Sequence, residues 1–144
     1  MEHPDCPLCR DAGVSLVASA ARWRIIRAAE PDFPAFYRVI WQDHVAEFSD
    51  LPATDRQACM DVVVAVEQVL RQALSPTKIN LATLGNVVPH LHWHVIARFD
   101  WDSHYPNPVW GERRRTLDSD AASRLPLALS ALDAQVREAV AALA

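Results

Sequence analysis

Hydrophobic and polar positions alternate in some parts of the chain and recur every three or four residues in others, and the two periods predict different elements. Residues 14–28 (VSLVASAARWRIIRA) and 36–41 (FYRVIW) are short and rich in β-branched and aromatic residues. They predict strands joined by the turn-rich EPDFP segment. In the first, Trp23 and Ile25 alternate with Arg22 and Arg24, as on a strand with one buried face. Residues 77–85 (TKINLATLG) and 90–98 (HLHWHVIAR) predict a second strand pair around GNVVP. Between the two pairs, about twenty residues pass without Gly or Pro until Pro76, which predicts a helix over 55–74. Thr54 and Gln57 have capping-box spacing, and Glu67 and Arg71 stand four apart as a helical ion pair would. Val62, Val63 and Val64 favour a strand locally, but the length of the segment favours a helix packed on the sheet. From Pro126 onward Leu129, Leu132, Val136, Val140 and Leu143 mark an amphipathic C-terminal helix. Residues 99–117, aromatic and proline-bearing, read as an ordered loop.

With no internal repeat and no linker-like stretch, the pattern predicts one α+β domain over residues 1–144. Its core covers about 6–100, followed by a loop and helix over 101–144. A formal net charge of −4 with both signs scattered gives no field that would draw a nucleic-acid backbone. The basic run Arg113-Arg114-Arg115 follows Glu112 and reads as a solvated loop, with a phosphate clamp as the alternative. No apolar run is long enough for a membrane span, and MEHPDCPLCR has no signal-peptide character, so a cytoplasmic location is expected. Three cysteines in such a chain point to reduced thiols or metal ligands rather than disulfides.

The chemistry concentrates in PHLHWHVIAR, residues 89–98. Strand alternation puts His90, His92 and His94 on one face and Leu91, Trp93 and Val95 on the other. A lone histidine there would need no explanation. Three are costly to cluster, because protonated neighbours repel and buried neutral ones each need partners for two nitrogens. Two uses fit the spacing: a zinc ion held by the triplet with an open position for water, or a neutral imidazole attacking phosphorus while its neighbours orient it and assist the leaving group. Spacing alone does not separate them.

His90-Leu91-His92-Trp93-His94-Val95-Ile96 resembles the His-φ-His-φ-His-φ-φ signature of the histidine triad (HIT) family, φ being apolar. Asn80 and Gly85-Asn86 resemble that family's Asn and Gly-Gln positions, YRVIWQDH ending at His44 resembles its strand running into Pro-Lys-x-His, and NPVWG resembles the tail of bacterial members. The resemblance implies an antiparallel sheet with one long helix packed on it and a C-terminal helix. It also implies a homodimer and a nucleotidyl hydrolase or transferase acting on a nucleoside phosphate, with no metal required for catalysis. His92 would be the nucleophile that carries a transient nucleotidyl group, His94 would contact phosphate oxygens and the leaving group, and His90 would support the imidazole network. Asn80 and Asn86 would donate hydrogen bonds to phosphate or ribose, and Gly85 would let the backbone approach the ligand.

Four positions depart from the family pattern. Phe36 stands where another histidine usually continues the hydrogen-bond relay, and Ala28 stands near where the family has an acidic residue that binds ribose hydroxyls, with Glu30 as a conceivable substitute. Val87 replaces a frequent Ser or Thr, and Asn86 is shorter than Gln. These departures motivate a nucleotide-binding or signalling module with little turnover as a second reading.

Cys6-Pro7-Leu8-Cys9 is by itself a weak signal, compatible with inert thiols, redox chemistry or a metal. The resemblance implies that Cys6, Cys9, His44 and His90 hold a structural zinc, a closed Cys₂His₂ set with no position for water. Cys59 is expected in the core, His3 as a mobile terminal side chain, and His104 as an exposed loop residue.

Overall fold

The computed structural model describes residues 2–10 and 15–144. Val14, the first residue of the predicted strand 14–28, lies outside the described residues. A short helix α1 (Pro7–Arg10) precedes strands β1 (Leu16–Ser19), β2 (Trp23–Arg27) and β3 (Phe36–Trp41). Helix α2 (Ala53–Leu74) then leads to β4 (Lys78–Ala82) and β5 (His92–Arg98), and α3 (Leu129–Val140) closes the chain. The strands form one antiparallel sheet in the order β1-β2-β3-β5-β4. The architecture is α+β, as the periodicities predict.

The predicted strand 14–28 is two strands, because the chain reverses at Ala20–Arg22 and the Ala20 amide donates to the Trp23 carbonyl at 2.8 Å. Apolar residues in both halves hide the turn from a periodicity reading.

Helix α2 begins at Ala53 behind Pro52. Thr54 therefore lies inside the first turn and makes no capping box with Gln57, whose amide donates instead to Asp61 at 2.9 Å. Glu67 and Arg71 form no ion pair within 4.0 Å, a small loss for two side chains on the solvent side of the helix. Packing decides the valine run: Val62 and Val63 are buried with Cys59, Val66 and Leu70, while Val64 turns outward. The helix stops at Ser75, held left-handed at φ 46° directly before Pro76.

Helices α2 and α3 cover one face of the sheet, where Trp23, Ile25, Tyr37, Val39, Trp41, Val95 and Ala97 meet Val62, Val66, Leu132 and Val136. Asp133 pins α3 to that face. Its carboxylate accepts from Arg27 Nε at 3.0 and 3.2 Å and from the Tyr37 hydroxyl at 2.6 Å. The opposite face has a small apolar cluster of Ala28, Phe33, Phe36 and Ile96, against which Val109 packs. No described helix is long and apolar enough to cross a membrane.

Candidate functional site

Strand pairing aligns the face away from the helices. Arg38 lies opposite His94, Ile40 opposite His92 and Phe36 opposite Ile96, with Ala82 and Asn80 continuing the rows on β4. The ladder of β5 starts at His92, two residues later than the alternation predicts. Leu91, Trp93 and Val95 keep to the helix side as expected. His92 and His94 share the site face, with ring centroids 4.9 Å apart. His90 sits before the strand, in a turn where its amide donates to the Val88 carbonyl at 2.8 Å.

The His90 ring is fully buried and points to a different cluster. Its Nε2 lies 2.6 Å from the Trp41 carbonyl, which can only accept, so that nitrogen carries the proton and Nδ1 keeps a bare lone pair. That lone pair faces Cys6 Sγ at 3.5 Å, Cys9 Sγ at 3.4 Å and His44 Nδ1 at 3.2 Å, and Cys9 Sγ lies 3.4 Å from His44 Nδ1. All four ligand atoms fall within 4.8 Å of one another. Zinc–sulfur and zinc–nitrogen bonds of ordinary length in a tetrahedron set ligand atoms roughly 3.3 to 3.8 Å apart, so the donor set fits a zinc ion. The carbonyl behind His90 Nε2 is the kind of outer partner that fixes a metal-binding tautomer. The His3 amide donates to Cys9 Sγ at 3.3 Å and the His3 ring stacks on His44 at 5.1 Å, so His3 belongs to the surround of this cluster and not to a free terminus. Arg24, nearly buried, binds the Leu8 carbonyl inside the Cys-x-x-Cys turn and Gln42 Oε1 at 2.8 Å.

This arrangement rules out the triplet as a single metal site. Both ring nitrogens of His90 are engaged elsewhere, and His92 Nδ1 donates to the His90 carbonyl at 2.6 Å. That bond leaves His92 Nε2 as the unprotonated nitrogen. Burial, the largest effect, pushes the His92 imidazole below its ordinary value, opposed by the His90 carbonyl and assisted by the Arg38 charge. His94 is pushed down to about 4, first by burial and then by His92 and Arg38. Neutral imidazoles at pH 7 follow for both.

His94 Nδ1 is buried with no hydrogen-bond partner. Phe36 lies edge-to-face against that ring at 5.4 Å, and Trp110, itself 6.5 Å from Phe36, lies against the same ring at 5.1 Å. Asn80 stands on the site face with Oδ1 accepting from Arg98 Nη1 at 2.9 Å, which leaves its amide hydrogens as donors. Arg98, 2 % exposed, is itself clamped by both oxygens of Asp102 at 2.9 and 3.1 Å. Gly85 adopts φ +77°, and a Cβ there would meet only ordinary contacts, so backbone angle rather than crowding calls for glycine. Asn86 and Val87 are exposed at the loop surface.

Two residues facing the histidines carried no clear signal in the sequence. Arg38 occupies an outward position of a strand that read only as apolar, and Trp110 belongs to a loop whose path periodicity does not reveal. The basic run lies in a loop with Arg113 and Arg114 exposed, as read from the sequence; Arg113 pairs with Asp32 at 2.6 Å, and Arg115 is tied down by the Asp102 and Tyr105 carbonyls. His104 packs on Phe33 at 5.0 Å and its Nδ1 shares a 2.8 Å hydrogen bond with the Ser103 hydroxyl, so it is half-buried rather than exposed. Cys59 is buried in α2, where burial raises its thiol to about 11.

The HIT domain family model matches residues 14–101. Among solved structures, a histidine triad protein from Bradyrhizobium japonicum superposes with a TM-score of 0.70 at 24% identity, over 88% of this chain and 91% of that one. One from Marinobacter aquaeolei gives 0.70 at 22% identity, over 90% of each chain. A zinc-bound histidine triad family protein from Mycobacterium smegmatis gives 0.61 at 20% identity, over 94% of this chain and 90% of that one. The search of curated proteins returned no match. With the family model covering most of the chain and the sheet order, long helix and histidine strand in agreement, the chain belongs to the HIT family.

Proposed function

We propose that the protein is a nucleotidyl hydrolase or transferase that cleaves a bond to the α-phosphate of a nucleoside phosphate through a covalent nucleotidyl-histidine at His92. Family membership supports nucleotide hydrolase or transferase chemistry in general. The observation that carries the finer reading is the His92 Nδ1 bond to the His90 carbonyl, which presents Nε2 with its lone pair toward the site face. That lone pair attacks phosphorus, the bond to the leaving group breaks with its electron pair, and the leaving group takes a proton from solvent or a neighbouring donor. Water or another hydroxyl acceptor then attacks phosphorus and gives up its proton to solvent, the phosphorus–Nε2 bond breaks with its electron pair returning to the ring, and His92 regains its neutral form. His94 contacts phosphate oxygens and the leaving group, and Asn80, Gly85 and Asn86 bind the phosphate or ribose.

In this reading Cys6, Cys9, His44 and His90 hold a structural zinc, which when bound supplies a cross-link between the N-terminal turn and the sheet and takes no part in bond breaking. His90 thereby anchors the carbonyl that orients His92. The partner is a small-molecule nucleotide rather than a nucleic-acid polymer or a membrane. A homodimer fits the exposed edge strand β4, where Leu81 and neighbouring Leu84 are exposed with Val64 of α2. Three free cysteines fit a cytoplasmic setting.

His92→Ala tests the nucleophile. Turnover of a nucleoside phosphoramidate or a dinucleoside polyphosphate disappears while the circular dichroism spectrum stays native, and mass spectrometry of the wild type detects the nucleotidyl adduct on His92. Undiminished turnover in the variant would remove His92 from that role. The unpartnered His94 Nδ1 beside Phe36 favours a second reading, a nucleotide-binding module with little turnover. Tight nucleotide binding without product or adduct across the same panel selects it.

A further inference from the structure

On the site face, opposite His94, the part-buried Arg38 makes no hydrogen bond and no ion pair with any described residue, and its Nε is completely enclosed. Enclosing a charged donor without an acceptor is costly, so such a group signals a ligand that completes it. The guanidinium is held in place. Its carbon lies 5.4 Å over the Phe36 ring, an attractive cation–π placement. His94, the cross-strand neighbour of Arg38, packs on the same ring, and its Nδ1 is also enclosed and unpartnered. Glu30 acts on the cation only at a distance, and no carboxylate among the described residues pairs with it directly. Ala28, Phe33, Phe36 and Ile96 are apolar, and the exposed Glu30 carboxylate lies beyond ion-pair distance. Ala28 in particular supplies no carboxylate where the sequence resemblance led to expecting one for ribose hydroxyls.

We infer that Arg38 forms an anion subsite that takes a second phosphate group of the substrate, beyond the phosphate that His92 would attack. The inference rests on the nucleotide reading of the site. Guanidinium binds phosphate through paired N–H donors, and a phosphate oxygen there gives the enclosed Nε its missing acceptor. The second phosphate has two chemical sources: a β-phosphate in the polyphosphate chain, or a phosphate on the ribose. Both place a dianion on a nucleoside monophosphate.

Calorimetric titration of the intact protein with AMP, α,β-methylene-ADP and adenosine 3′,5′-bisphosphate tests this. At least one of the two diphosphorylated ligands binds on the order of tenfold or more tightly than AMP, as charge-assisted hydrogen bonds warrant. Which one is preferred identifies the source. Arg38→Gln collapses the ratio toward one, and Arg38→Lys, which keeps the charge without the fork, retains part of it. Binding of all three ligands with equal affinity by the wild type overturns the subsite and leaves the nucleotide reading standing. A preference that survives Arg38→Gln also overturns it. Absence of binding by AMP and both diphosphorylated ligands overturns the nucleotide reading together with it. Should Arg38→Gln fail to fold, the wild-type ratio and its loss in high salt, expected for an ionic contact, decide the matter.

Discussion

The ring of Phe36 stands edge-on to the ring of His94 at 5.4 Å and 85°, and the Nδ1 of that histidine is enclosed without an acceptor or donor. A hydrocarbon edge occupies the place where the family pattern puts another histidine, and it offers nothing to hydrogen-bond. Phe36→His is therefore expected to give His94 a partner and to raise its pKa from about 4. Imidazole C–H titration by NMR reads this directly; an unmoved His94 titration would show that the two rings are not coupled. Replacing a ring packed on Ala28, Phe33 and Ile96 also costs about 1 to 3 kcal/mol of stability, measured by urea unfolding.

Stability responds to pH through the same residue. His94 has an ordinary value of 6.5 and a folded value of about 4, lowered by burial, His92 and Arg38. The unfolded chain thus binds a proton more readily, and folding stability rises with pH across that interval. The contribution is complete above about pH 6.5 and is progressively lost as pH falls toward 4, where it levels off; its full size is about 3 kcal/mol. Unfolding curves of wild type and His94→Gln between pH 4 and 7 isolate it, because the difference between the two curves carries the slope. Parallel curves would mean that His94 titrates alike in both states.

Zinc content depends on the N-terminal thiols. The wild-type protein is expected to carry one zinc ion per chain by elemental analysis, and Cys6→Ser combined with Cys9→Ser to carry none, with a lowered Tm. Because His92 leans on the His90 carbonyl and not on the ion, the double variant keeps more turnover than His92→Ala. Zinc retained without the thiols would place it elsewhere.

Asp133 bears on the fold alone. Its carboxylate satisfies Arg27 and the fully buried Tyr37, whose hydroxyl is held well above its ordinary value by burial and then by that carboxylate. Asp133→Ala strands both partners and is expected to cost about 2 to 4 kcal/mol. Tyr37→Phe, which removes one donor and strands nothing charged, costs about 1 kcal/mol. Denaturant midpoints compare the two, and an equal loss would deny the carboxylate its double role.

Local patterning carried much of this. Periodicity yielded the long helix, the C-terminal helix and the two strand regions, because a helix or strand that buries one face must write its period into the sequence. The spacing of His92 and His94 likewise put them on one face. The turn that splits β1 from β2 escaped, since Ala20-Ala21-Arg22 holds none of the Gly, Pro, Asn or Asp residues that mark a turn. The start of α2 at Ala53 escaped because Thr54 and Gln57 imitate a cap two residues beyond the actual one, Pro52.

The sequence by itself determined the elements, the histidine strand and the inventory of thiols and imidazoles. The tertiary structure decided how that inventory divides. His90 leaves its neighbours for Cys6, Cys9 and His44, residues 84, 81 and 46 positions away along the chain. Arg38 becomes the neighbour of His94 only because β5 inserts beside β3. Short-range rules fix which way a side chain points from its own strand, whereas cross-strand register and chain reversal fix what it meets there.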